Sequence, residues 1–362
     1  TARAASGMYN FGLGMEGTGA NTARVESASG AITLVGIGSG DAATGYGVLL
    51  TGTARVLSSG TSDIILTATS PDAGTDFRVE GAGSAIFGGP SATGDITVNA
   101  NTIDWGAGLL TLQSTGGNLL IQPRTATTSI GIGDGAAGTL NLDNAELNGI
   151  QNGFSSITIG HASGSGVVDV RSHTFKDPLI IRTPTGNGDI TLNGALATGS
   201  GTEAGSITLE AGRSIFGTTG GGRSITTQGQ GITLNADRDE TDGGNIQLTG
   251  TTVTSNGGAI VLGGGADPLT TAAIGSGTGS PAQKAGIYLS GGTLNAGAGN
   301  ITLRGQGIAG TSNAYGIHVL GGSVIGHAAA TGNLALHGTG GVGTTGNHGV
   351  LLTDTNTAVR SQ

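Results

Sequence analysis

The densest run of ionisable side chains is Asp237-Arg238-Asp239-Glu240-Thr241-Asp242. Carboxylates at alternate positions of one loop can converge on Ca²⁺, a hard cation that takes oxygen ligands. The same spacing suits a solvated turn between strands centred on Ile232 and Ile246, and the tandem Gly-Gly-x-Gly-x-Asp repeat of calcium-binding β-helices is missing. Gly263-Gly264-Gly265-Ala266-Asp267 only approaches it. The turn is the expected role, and a Ca²⁺ role for Asp237, Asp239, Glu240 and Asp242 stays open.

Histidine is the next candidate ligand. Four of the six, His318, His327, His337 and His348, fall near the end of the chain, at spacings of 9, 10 and 11 residues. Such spacings put them on different strands and corners, so scattered surface histidines are expected in place of a shared metal site. Tyr46, Tyr315 and His348 each stand immediately before a glycine that opens a strand. His348 would lie one repeat beyond Tyr315, close enough for ring stacking. That arrangement serves either as a structural ladder, the expected role, or as a platform for sugar rings.

Other chemistry is thin. Gly-x-Gly-x-x-Gly strings arise by chance among 75 glycines, and no Gly-Lys-Ser or Gly-Lys-Thr completes a phosphate loop. Absence of cysteine removes disulfides, thiol catalysis and thiolate metal sites. No Ser-His-Asp constellation is assigned, and no residue is assigned a catalytic, cofactor-binding or metal role.

Composition narrows the class further. Only 10% of the 362 residues are charged, the net charge is −9, and the lysines are Lys176 and Lys284 alone. Nothing there neutralises a phosphate backbone, so a nucleic-acid partner is not expected. No apolar run approaches the length of a membrane-spanning helix, so no membrane insertion of this segment is expected. Aromatics make up 3% while aliphatic runs recur, which suits a thin core of Ile, Val, Leu and Ala repeated along a stack. Collagen is excluded, since the glycines show no Gly-X-Y period.

The elements that must position these groups repeat. A small or polar residue followed by aliphatic, polar and aliphatic residues recurs as Ala31-Ile32-Thr33-Leu34, Asp63-Ile64-Ile65-Leu66, Asp95-Ile96-Thr97-Val98, Ser156-Ile157-Thr158-Ile159, Asp189-Ile190-Thr191-Leu192, Ser206-Ile207-Thr208-Leu209, Gly231-Ile232-Thr233-Leu234 and Asn300-Ile301-Thr302-Leu303. Alternation predicts strands with Ile and Leu inward and Thr outward. Ile32, Ile64 and Ile96 are 32 apart, and Ile157 and Ile190 are 33 apart, a period that signals a solenoid. A second strand type opens at Gly47, Gly286, Gly316 and Gly349. A third runs through Thr22 to Val25, Thr53 to Val56, Thr293-Leu294 and Ser323 to Ile325. In the middle, aliphatic centres fall about every ten residues, at Ile96, Ile103, Leu110, Leu119, Ile130, Leu140, Ile150 and Ile157.

Three strands per ~32 residues predict an all-β, right-handed parallel β-helix (β-solenoid) with three strands per turn and about eleven turns. It is expected to run as a single continuous segment over 1–362, a fragment of a longer protein, because the repeat is already running at both ends. Loop excursions are expected near 70–94, 171–186 and 263–285. Outward Thr33, Thr97, Thr158, Thr191, Thr208, Thr233 and Thr302 would form a ladder if they shared one face, although the 14-residue spacing of Ile232, Ile246 and Ile260 speaks against the regularity that ice binding needs.

Gly-Asp-Ile-Thr-Leu and Gly-Ser-Ile-Thr-Leu strands in a Cys-free background rich in Gly, Thr, Ser and Asn resemble the filamentous-haemagglutinin-like adhesins, large repetitive bacterial exoproteins of two-partner secretion. The likeness covers nearly the whole chain. The family's secretion domain carries an Asn-Pro-Asn-Gly-Ile type motif, and this chain has no Asn-Pro, so the resemblance points to the shaft. It implies a secreted or cell-surface location and adhesion to a glycan or protein on host or neighbouring cells. It supplies no cofactor and no site residues. Two rivals stand beside it. One is a self-assembling extracellular filament or surface-layer unit with end-to-end association through open strand edges. The other is a β-helix polysaccharide-degrading enzyme or tailspike, which needs carboxylates clustered with Arg or Lys on one face; acids here are sparse, and no enzyme is expected.

Overall fold

The computed structural model of the chain describes residues 2–3, 11–17, 22–39, 45–71, 74–106, 109–217, 222–326 and 331–360. The chain divides into two compact units, Thr1–His161 and Ala162–Gln362. Each is a stretch of parallel β-helix.

In the first unit, Ala2–Arg3, Ile32–Ile37, Ile64–Thr69, Ile96–Asn99, Asn118–Gln122 and Ser156–Ile159 pair in parallel to make one sheet. Phe11–Gly17, Tyr46–Gly52, Phe77–Glu80 and Ile103–Asp104 make a second. Arg24–Ser27, Arg55–Ser58, Ala85–Gly88 and Leu110–Gln113 make a third, which a bridge from Leu112 to Ile150 extends. Ile32, Ile64, Ile96, Leu119 and Ile157 stand in one column, so successive circuits take 32, 32, 23 and 38 residues. In this unit the uniform period therefore holds only for the first circuits, and in the second unit it returns between Ile301 and Leu334, 33 residues apart.

The long circuit has a cause. Ile130–Ile132 and Leu140–Leu142 pair with each other in parallel although only seven residues join them. Parallel neighbours ordinarily need a longer crossover. Here a Cβ on Gly138 would lie 2.1 Å from the Gly131 nitrogen, so the close approach requires glycine. A helical turn at Asn144–Leu147, closed by a capping box between Asp143 and Glu146, then returns the chain to Ile150.

In the second unit, Leu179–Thr183, Ile207–Ala211, Ile232–Ala236, Ile260–Gly264, Ile301–Gln306 and Leu334–Thr339 form the first sheet. Val168–Val170, Ile190–Leu192, Ile215–Gly217, Ile246–Thr249, Ile287–Ser290, Ile317–Leu320 and Val350–Leu352 form the second. The third runs from His173–Phe175 through Ala195–Thr198, Ser224–Thr226, Thr252–Thr254, Thr293–Asn295 and Val324–Ile325 to Ala358–Val359.

Several expectations change. Ile190-Thr191-Leu192 lies in the second sheet, apart from the Ile-Thr-Leu strands at Ile207, Ile232 and Ile301. Ile246 lies there too, which explains its 14-residue spacing from Ile232 and Ile260. The stretch 70–94 contains the strands Phe77–Glu80 and Ala85–Gly88, and 171–186 contains His173–Phe175 and Leu179–Thr183. Outward Arg78, Glu80 and Arg182 masked the alternation of buried Phe77, Val79, Phe175 and Ile181. Residues 263–285 carry the short strand Ala273–Ile274 and the helical turn Pro281–Lys284. The threonine ladder is broken. In the first unit Thr33, Thr97 and Thr158 alternate with Ile65 and Leu120, and in the second Val261 interrupts Thr208, Thr233 and Thr302.

Inward Ile and Leu of the interior circuits are fully buried, each contributing about 1.5–3 kcal/mol. Polar residues just before the inward aliphatics also have a structural task at several corners. Asp63 Oδ1 accepts the Asp95 N–H at 2.9 Å, Asp95 Oδ1 accepts the Asn118 N–H at 2.7 Å and its side-chain amide at 3.1 Å, and Ser156 Oγ donates to Asn118 Oδ1 at 2.8 Å. In the second unit Asn300 Oδ1 accepts the Asn333 N–H at 2.9 Å. These bonds join one circuit to the next at the corner. Asp95→Ala should cost about 1 kcal/mol in urea unfolding while Asp95→Asn keeps most of that stability; equal losses would show that the acceptor is idle.

Candidate functional site

Two clusters in the second unit combine polar or aromatic side chains with accessible surface. The first begins with register. Leu179, Ile181 and Thr183 point inward, so Arg182 points out, and it stands directly opposite Glu210 of the neighbouring strand. The next strand turns away at Asp237, whose φ of 51° is left-handed. This brings Arg238 beside Glu210, with Nε 3.8 Å from Oε1. Asp239 reaches across to the loop after Arg182, where its Oδ2 accepts the Gly186 N–H at 2.6 Å. Ala162, Arg182, Pro184, Thr185, Glu210, Arg238 and Asp239 thus line a cleft of about 290 Å³.

The 237–242 turn is braced from both sides. Glu240 Oε1 accepts the Ala266 N–H at 3.0 Å, from the 263–285 excursion, while Asp239 faces Gly186. Its carboxylates therefore diverge, and among the described residues no group of three His, Asp or Glu is placed to hold a metal ion. Asp237 is 2% exposed, and burial, reinforced by the charges of Asp239, Glu240 and Asp242, pushes its carboxyl up to about 7. Its Oδ1 has no hydrogen-bond partner among the described residues. Burial also lowers the Arg182 pKa, an effect that the Glu210 charge opposes.

The second cluster is aromatic. Tyr288 and His318 are directly opposed on adjacent strands of the second sheet, with ring centroids 5.5 Å apart at 80°. Tyr315 packs on His318 at 4.6 Å and stacks on His348 at 5.9 Å and 13°. The expected stacking of Tyr315 with His348 is therefore present. Tyr46 lies in the first unit, where the Arg78 guanidinium sits 5.5 Å from its ring centroid.

One histidine departs from the surface role expected of it. His318 is 7% exposed, because Tyr288 and Tyr315 close over an outward position. Its Nε2 lies 3.3 Å from Thr353 Oγ1, Nδ1 has no hydrogen-bond partner among the described residues, and burial lowers its pKa against the opposing charge of Asp354. His337 is exposed and stands opposite Arg304 in the first sheet, and His327 lies outside the described residues. Tyr315→Ala should expose His318 and move its NMR titration up toward the ordinary histidine value; an unmoved midpoint would rule out burial as the cause.

Sequence reasoning singled out the 171–186 and 237–242 segments separately and missed that they meet. It also missed Glu210. The signal was available in register: Leu179-Ile180-Ile181-Arg182 laid against Ile207-Thr208-Leu209-Glu210 pairs the guanidinium with the carboxylate.

No protein family, no curated protein and no solved structure matches this chain.

Proposed function

We propose that this chain is a structural and adhesive shaft segment of a secreted or cell-surface bacterial adhesin that attaches to a glycan or protein on host or neighbouring cells. One observation supports the reading most directly. Polar side chains at the corners, from Asp63 through Asp95 and Asn118 to Ser156, bond the next circuit, so the fold is a self-bracing scaffold repeated along the chain. The composition and the resemblance to filamentous-haemagglutinin-like shafts fit that role. No catalytic activity is part of it.

Beads coated with the protein should retain epithelial or bacterial cells above an albumin control, and a panel of neutral and acidic glycans should stay intact. Retention at the control level together with measurable glycan turnover would replace the adhesin with an enzyme. The second reading is a filament or surface-layer unit, in which the parallel sheets of one copy continue into those of the next. Concentration-dependent fibres in electron micrographs would support that second role, and rods of constant length would oppose it.

A further inference from the structure

We infer that the Arg182–Glu210–Arg238–Asp239 cleft is a binding site for one neutral pyranose unit of a glycan. This deepens the adhesive reading, on which it rests for the source of the glycan.

Charge selects the ligand class. Arg182 and Arg238 are balanced by Glu210 and Asp239 on the same lining, and Glu240 and Asp242 follow immediately on the turn. An anionic ligand would be drawn to two guanidiniums and repelled by the surrounding carboxylates, and a cation would meet the reverse. Hydroxyl groups suit the arrangement better, because each both donates and accepts. The Glu210 carboxylate, with several lone-pair positions, keeps acceptor capacity beside Arg182 and Arg238, whose Nε lies 3.8 Å away, beyond hydrogen-bond length. Guanidiniums on either side supply donors in fixed planar geometry. A polyol with adjacent hydroxyls can bridge carboxylate and guanidinium at once.

Shape and rigidity agree. Some 290 Å³ is at the small end for ligand sites and admits a single sugar ring. Pro184 and Ala162 give the lining an apolar portion for the C–H face of that ring. The walls are held before any ligand arrives. Asp239 takes the Gly186 N–H, and Thr185 donates through Oγ1 to Gly164 O at 2.9 Å and through its N–H to the same oxygen at 2.9 Å. Preorganised walls reduce the ordering cost of binding.

The test is an NMR titration of the whole chain with the methyl pyranosides of glucose, galactose and mannose and with N-acetylglucosamine, using glucuronate and glucosamine as charged controls. At least one neutral sugar should shift the Arg182 and Arg238 Nε–H signals and the 184–186 amides. Glu210→Gln and Arg238→Gln should each weaken it about tenfold, the effect of losing one charge-assisted hydrogen bond, with unchanged melting temperatures. Tyr315→Ala, on the separate aromatic cluster, should leave it unchanged. Binding of glucuronate or glucosamine alone, no shifts with any sugar, or affinity indifferent to both cleft variants would each overturn the assignment. The bead assay separates the two readings. Cell retention that survives Glu210→Gln and Arg238→Gln keeps the adhesin and removes the cleft, whereas sugar binding without retention keeps the cleft and removes the adhesin.

Discussion

Phe77→Ala should destabilise the first unit by about 3–5 kcal/mol, whereas Phe216→Ala should cost less than about 1 kcal/mol in the second. Register makes the difference. Phe77 is an inward position with no exposure, stacked on Phe87 at 5.9 Å and edge-on to Trp105 at 5.8 Å. Phe216 lies between Thr191 and Gln247 on the outer side of its sheet, where truncation leaves no enclosed void. The first unit's core is otherwise built largely of aliphatic residues, so the Phe77, Phe87 and Trp105 rings supply an unusual share of its buried area. In a solenoid each circuit is supported by its immediate neighbours, so the damage should be local. Hydrogen exchange should accelerate in Tyr46–Gly52, Phe77–Glu80 and Ile103–Asp104, while Ile207–Ala211 keeps its protection. Equal costs for the two phenylalanines would contradict the inward placement of Phe77.

The parallel stacking was legible because it rests on local alternation. Ile32, Ile64 and Ile96 are equally spaced, and each is followed two residues later by a second inward aliphatic. Which face a strand occupies was not legible from the same pattern. Asp189 accepts the Ser214 N–H at 3.0 Å just as Asp95 accepts that of Asn118, so strands of two different sheets have the same local need and read as one motif. Circuit length separates them, and it varies with corners such as the tight turn between Ile132 and Leu140.

Burial of polar groups was harder still to see. Alternation correctly sends His318 outward, but Tyr288 of the preceding circuit and Tyr315, three residues before it, close over it. Asp143 and Glu146 have the spacing of a capping box, yet only the fold places Glu146 against Trp105, where its Oε1 accepts the backbone N–H at 3.0 Å. The cleft failed for the same reason: Gly186 and Asp239 are 53 residues apart, and no local pattern links them.

Glu146 leads to the second large effect, a first unit more stable at pH 5 than at pH 8. The side chain is 5% exposed, and burial, against the opposing backbone bonds from Trp105 and Asp143, pushes its carboxyl from 4.5 up to about 7. The folded state therefore holds a proton that the unfolded chain releases above its ordinary value. Between about pH 4.5 and 7 the folded form binds more protons, so stability declines as pH rises through this window and stays low above it. A shift of this size corresponds to roughly 3 kcal/mol. Asp237 should act with the same sign in the second unit, from its ordinary 3.8 to about 7. There His318 opposes it: its lowered pKa makes the folded state the weaker proton binder as pH falls through 6.5, and stability is lost on acidification. The first unit gives the cleaner test, and Trp105, the single tryptophan, reports on it directly. Urea unfolding followed by Trp105 fluorescence should show a gain on going from pH 8 to pH 5 that exceeds the gain in Glu146→Gln by about 2.5 kcal/mol. The variant keeps any general relief of the −9 net charge, so only the difference between the two proteins reports the buried carboxyl. Identical pH dependence in wild type and Glu146→Gln would mean that Glu146 titrates as a solvated group.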